Sequence, residues 1–168
     1  PDTYGVGMLF LSPDAAEAAS QKAILDEEIA RQGLSVLAWR DVPIDVDCLG
    51  SIAMQSLPAF AQVLVGADGI SDLEMNRRLF FARRRAENRI GNHEHFYVCS
   101  LSATVVSYKG LMMPVDLPRF YPDLGDDAMQ TAIVVFHQRF STNTMPRWPL
   151  APPFRYLAHN GEINTVEG

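Results

Sequence analysis

Between Phe136 and Ile163 the chain reads FHQRFSTNTMPRWPLAPPFRYLAHNGEI, and two pieces of it carry groups suited to chemistry. His137-Gln138-Arg139-Phe140-Ser141-Thr142-Asn143 sets an arginine and several hydroxyls at the end of a hydrophobic run. A planar guanidinium can hold a carboxylate by two parallel hydrogen bonds, which lysine cannot. The same arginine could equally close a structural ion pair, and Ser141 and Thr142 could be ordinary turn hydroxyls. His159-Asn160-Gly161-Glu162 sets an amide side chain beside a glycine. Asn-Gly pairs are common in hairpin turns, so taken alone this one reads as a turn. Pro146, Pro149, Pro152, Pro153 and the bulky Trp148 make the connection between the two pieces stiff and specifically shaped.

Other reactive side chains are fewer. Cys99 falls mid-strand in Phe96-Tyr97-Val98-Cys99-Ser100, where a small buried thiol is expected rather than a nucleophile. Cys48 lies between carboxylates in Asp45-Val46-Asp47-Cys48, which should raise its pKa and disfavour the thiolate. His93-Glu94-His95 faintly resembles a metal site, yet two histidines at i, i+2 and one carboxylate fit a polar approach to a strand better. His137 and His159 read as packing and hydrogen-bonding residues, and Met112-Met113 as core or edge packing.

The elements that must position these groups follow from hydrophobic patterning. Val6 to Leu11 is a short apolar run and reads as a buried strand. Ser12 can cap a helix with Pro13 at its first position. Ala15, Ala18, Leu25 and Ile29 recur at helical spacing, and Gly33 offers a stop. Leu34 to Trp39 is a second strand, so the chain opens in α/β order. Pro43 to Leu49 is a connection, Ile52 to Leu57 a helical turn, Phe60 to Val65 a strand, and Gly66 to Gly69 a turn. Ser71-Asp72-Leu73-Glu74 has capping-box form and opens a helix to about Asn88. Its arginines at 77, 78, 83, 84, 85 and 89 read as a solvated face rather than a nucleic-acid surface. Phe96 to Leu101 and Thr104 to Tyr108 are strands joined by a tight turn. Val115 to Tyr121 is one helical turn, and Pro122 to Asp127 a polar loop. Thr131 to Phe136 is an apolar strand that delivers Arg139, and Arg155 to Ala158 delivers Asn160. These elements add up to α and β mixed, with no internal repeat.

With 168 residues and 48% hydrophobic content, the chain can build one globular core. A net charge of −6 argues against nucleic acid as a partner, and no apolar run reaches membrane-spanning length. Two cysteines make no disulfide framework, which fits a reducing, intracellular setting. No initiator Met or signal-peptide pattern opens the chain, and a helix is under way at Thr165-Val166-Glu167-Gly168. It reads as an internal segment of a larger polypeptide, truncated at both ends.

The runs RFSTNT and PRWPLAPPFRYLAHNGEINT closely resemble the glutaminase domain of glutamate synthases. That domain is a class II glutamine amidotransferase of the N-terminal-nucleophile hydrolase superfamily. The resemblance extends more loosely to Tyr4-Gly5-Val6-Gly7 and Tyr108-Lys109-Gly110-Leu111, and so to residues 1–168 as one partial amidotransferase domain. It implies an α+β fold of the four-layer α-β-β-α sandwich type. It also implies hydrolysis of L-glutamine to glutamate and ammonia, with ammonia passing through a tunnel to a site where 2-oxoglutarate is aminated and reduced. By residue, Asn160 and Gly161 match the oxyanion hole, Arg139 matches the arginine that binds the glutamine α-carboxylate, and Thr142 matches a position near that carboxylate. The superfamily nucleophile is an N-terminal cysteine whose own α-amino group is the base. No such residue opens this chain, so that cysteine is expected upstream and the isolated segment is expected to be inactive. The aspartate that holds the substrate α-amino group is expected beyond Gly168.

FMN and a 3Fe–4S cluster are implied in other domains, whereas this segment has neither a dinucleotide fingerprint nor cluster-type cysteine spacing. Implied partners are L-glutamine, the remaining synthase domains, and a NADPH-oxidising small subunit or ferredoxin, in the cytoplasm or plastid stroma. Two other readings stand beside this one. Another class II amidotransferase, forming a glucosamine phosphate or phosphoribosylamine, would share the arginine strand and Asn-Gly but not the stretch from Trp148 to Pro153. A non-catalytic module would keep the glutamine pocket without the nucleophile.

Overall fold

Thr3–Leu11 forms the first strand, β1, and its nine residues pair antiparallel with β3, Ala59–Ala67, in unbroken register from Thr3 opposite Ala67 to Leu11 opposite Ala59. The computed structural model describes residues 1–138 and 145–152. The chain divides into two compact units, Pro1–Val42 with Pro58–Ser107, and Pro43–Leu57 with Tyr108–Gly168.

The first unit holds a four-stranded sheet in the order β2-β3-β1-β4, where β2 is Ser35–Asp41 and β4 is Tyr97–Ser102. Every neighbouring pair is antiparallel, so the α/β order expected from the opening elements resolves into an antiparallel α+β sheet. The reason is topological: β3 is inserted between β1 and β2, and β1 between β3 and β4. Each strand–helix–strand unit is split by a strand of the other, the split βαβ pattern. Helix α1, Ala15–Arg31, connects β1 to β2, and α3, Asp72–Ile90, connects β3 to β4.

Alternation decides which strand residues meet the helices, because successive side chains point to opposite faces. Leu9 and Leu11 of β1, with Ala61, Val63 and Val65 of β3, share one core with Leu25 and Ile29 of α1 and Met75, Leu79, Ala82 and Ala86 of α3. On the other face Phe10 packs edge-on against Phe60 at 5.2 Å.

Helix starts follow the chemistry of their caps. The Asp14 carboxylate, and not Ser12, caps α1 by accepting from the Glu17 N–H at 2.9 Å. The Ser12 hydroxyl instead donates to the Glu17 side chain at 2.7 Å. Gly33, with φ 69°, follows the end of α1 as expected, since glycine enters the left-handed region without steric penalty. Ser71 caps α3 as expected, accepting from Glu74 N–H.

The arginines of α3 are mostly partnered rather than simply solvated. Arg77 and Arg78 both bind Glu74, Arg84 binds Glu87, and Arg89 reaches Glu27 and Glu28 of α1. Arg83 is only 6% exposed and lies over the Phe80 ring. Helical i, i+3 and i, i+4 spacing brings most of these opposite charges together.

Two expected strands are not formed. After Ser102 the backbone leaves the sheet, because side chains capture its donors: the Asn76 amide oxygen accepts from Ala103 N–H at 2.9 Å, and Ser102 Oγ accepts from Thr104 N–H at 3.1 Å. Such side-chain bonds compete with a ladder. Thr131 to Phe136 is also irregular, with Ile133, Val134, Val135 and Phe136 exposed. No strand among the described residues pairs with it. The Arg155 to Ala158 strand lies outside the described residues.

In the second unit, α2 is Ser51–Gln55 and α4 is Leu117–Phe120, with 3-10 turns at Val46–Cys48, Pro114–Asp116, Pro122–Gly125 and Trp148–Leu150. Pro122–Gly125 gives helical form to part of the expected loop.

Candidate functional site

Arg139, Thr142, Asn160 and Gly161 all lie outside the described residues. Residues 145–152 of the stiff connection between their two motifs do not, and the structure explains why they take their shape. Arg147 is extended, at φ −139° and ψ 145°, and Trp148–Leu150 then closes one 3-10 turn. Leu150 N–H donates to Arg147 C=O at 3.0 Å, and Ala151 N–H to Trp148 C=O at 3.3 Å. Pro149 suits the start of such a turn, where its fixed φ is helical and its missing N–H leaves no bond unmade.

Three contacts seat this turn in the second unit. Trp148 is 1% exposed, and its indole N–H donates to the Ala53 carbonyl at 3.0 Å. Ala53 lies in the five-residue helix α2, whose last carbonyls lack intrahelical partners, so the indole satisfies one of them. The indole also lies 5.7 Å from the Phe120 ring, which meets Tyr121 edge-on at 4.6 Å. The third contact is a charge-assisted hydrogen bond. Lys109 is 2% exposed, and its ammonium donates to the Pro149 carbonyl at 2.7 Å. The Lys109 carbonyl in turn accepts from the Tyr121 hydroxyl at 2.8 Å. Gly110 lies directly against the indole, where an added Cβ would come 2.7 Å from Trp148 Cζ3.

Lys109 is the residue whose part sequence reasoning missed, having met it only within the looser Tyr108-Lys109-Gly110-Leu111 match. No sequence signal sets it apart: the other lysine, Lys22, is half-buried, and the residue type by itself suggests solvent.

Both cysteines sit as expected for non-nucleophiles. Cys99 is buried in β4. Cys48 Sγ donates to the Asp45 carbonyl at 3.1 Å, and burial first, then the Asp45 charge, pushes its thiol pKa up against the pull of Arg119. Arg119 binds Asp45 at 2.8 Å, and that hydrogen bond holds the Asp45 carboxyl below its ordinary range.

His93 Nδ1 accepts from the His95 N–H at 3.2 Å, which leaves Nε2 as the protonated nitrogen facing the Glu17 carboxylate at 3.2 Å. The pair therefore anchors the approach to β4. No metal-binding group of His, Cys, Asp or Glu occurs among the described residues. No helix among them is long and apolar enough to cross a membrane.

The family described as glutamine amidotransferases class-II matches residues 1–168. The chain is 46% identical to the glutamate synthase [NADPH] large chain of Azospirillum brasilense, over 100% of this chain and 11% of that protein. It is 42% identical to the ferredoxin-dependent glutamate synthase 2 of Synechocystis, over 99% and 11%. It is 39% identical to the chloroplastic/mitochondrial ferredoxin-dependent glutamate synthase 1 of Arabidopsis thaliana, over 98% and 10%. The chain thus spans about a tenth of the length of the curated relatives it matches. A match along its whole length to one family model places the chain among the class-II glutamine amidotransferases.

Proposed function

We propose that these 168 residues are part of the glutaminase domain of a glutamate synthase, within a four-layer α-β-β-α sandwich of the N-terminal-nucleophile type. The observation that carries the reading is the run from Arg139 to Thr165, seated on likeness to glutamate synthases along the whole chain. In that reading the guanidinium of Arg139 grips the glutamine α-carboxylate with Thr142 beside it. The Asn160 amide and the Gly161 N–H donate to the oxyanion that forms on the scissile carbonyl. The nucleophilic cysteine comes from outside these residues, since the Cys48 thiol pKa is pushed up and Cys99 is buried in β4.

The complete polypeptide would pass ammonia to 2-oxoglutarate in domains that hold FMN and a 3Fe–4S cluster. It would draw electrons from a NADPH-oxidising subunit or ferredoxin, in the cytoplasm or plastid stroma. The test is to purify the full-length polypeptide and supply glutamine, 2-oxoglutarate and a reductant. Two glutamates per glutamine consumed are expected. Amination of a sugar phosphate instead would assign the chain to another class II enzyme, and glutamine binding without release of ammonia would make it a binding module.

A further inference from the structure

A lysine loses its hydration when buried, and its burial is tolerated only where the ammonium meets fixed acceptors. Lys109 is among the largest fully buried side chains of the described residues, and its ammonium donates to a backbone carbonyl, that of Pro149. That carbonyl belongs to the 3-10 turn between the two motifs that carry Arg139 and Asn160. Proline cannot donate from its own nitrogen, so its carbonyl is the backbone group at that position that a side chain can seize. The lysine is itself held: Tyr121 donates to its carbonyl, and Gly110 after it lets the Trp148 ring close on the backbone.

We propose that Lys109 is a positioning residue of the glutaminase reaction, clamping the Trp148–Leu150 turn so that the chain enters both flanking motifs at fixed points. This rests on the proposed glutaminase reading, because the motifs matter only if Arg139 and Asn160 meet glutamine. The clamp acts through backbone position and touches no substrate. Ångström-scale misplacement of reacting groups can slow turnover by about 10²-fold, so a loosened turn is felt at a distance.

The test uses the full-length polypeptide with Lys109→Met and Lys109→Arg. Two rates are measured: glutamine-driven glutamate formation, and amination of 2-oxoglutarate driven by added ammonia, which bypasses glutamine hydrolysis. For Lys109→Met, kcat/KM for glutamine is expected to fall at least about tenfold, with ammonia-driven amination within about twofold of the parent. Lys109→Arg, which keeps a cation and donors, is expected to recover part of the loss. Unchanged glutamine kinetics in Lys109→Met would overturn the proposal, as would equal loss of both rates, the mark of a general packing role. Should Lys109→Met fail to fold, Lys109→Gln, of similar length but uncharged, takes its place: lowered kcat/KM for glutamine with ammonia-driven rates intact supports the clamp, and parental glutamine kinetics reject it. If the unaltered polypeptide hydrolyses no glutamine, it is the glutaminase reading that fails instead.

Discussion

In the proposed reading Arg139 and Asn160 take opposite ends of one glutamine, so single substitutions should separate binding from turnover. Arg139→Lys loses the second parallel hydrogen bond to the α-carboxylate and is expected to raise KM for glutamine with kcat little changed. Asn160→Ala removes an oxyanion donor and is expected to lower kcat by about 10²–10³-fold. Steady-state kinetics of the two variants of the full-length polypeptide check both, and a reversed pattern would remove the assigned roles. Both residues stand out in the sequence as chemically distinctive types inside a long specific run, and their roles rest on the resemblance, since they lie outside the described residues. Lys109 does not stand out. Its type suggests solvent, and only the fold reveals that its stem runs into a buried site and its charge meets the Pro149 carbonyl. The cysteines were legible in outcome, though burial outranks the neighbouring carboxylate in raising the pKa of Cys48.

At the level of elements, α3 carries a pH signature. Hydrogen bonds from Arg77, then Arg78, hold the Glu74 carboxyl at about 2, down from its ordinary 4.5. A carboxyl depressed in the folded state contributes stability that is complete above its unfolded pKa and lost as pH falls through the folded value. The gap in stability between the protein and Glu74→Gln should therefore be constant above about pH 5 and narrow as pH falls from 4.5 towards 2. Denaturant titrations at stepped pH measure it, and a gap that stays constant across that window would refute the pairing. This ion-pair cluster was not read from the sequence, where the arginines passed for a solvated face, although i, i+3 and i, i+4 spacing to Glu74 and Glu87 was there to be seen. The longer helices and central strands were read correctly because their apolar periods are strong. Thr104 to Tyr108 was misread because its composition suits a strand, whereas Asn76, remote in sequence, takes the Ala103 donor. Local propensity contains no trace of such a long-range capture.

For the whole molecule, the prediction concerns what the 168 residues do by themselves. With Cys99 buried in β4 and the Cys48 thiol pushed up, neither is poised to attack an amide. Purified protein of this sequence is expected to release no ammonia from glutamine above the uncatalysed rate, measured by a coupled ammonia assay. Turnover by this material would place the nucleophile within it. Mixed α and β content was legible in the order of elements, but strand adjacency was not, because pairing partners lie far apart in sequence. The interleaving of β1 and β3 carries a consequence for synthesis. A ribosome that has released residues 1 to 42 has delivered β1, α1 and β2, yet those two strands are not neighbours and share no ladder. The nascent β1 gains its first mate only when residues 59 to 67 emerge, and its second with 97 to 102. Until then its backbone must be kept from mating with strangers.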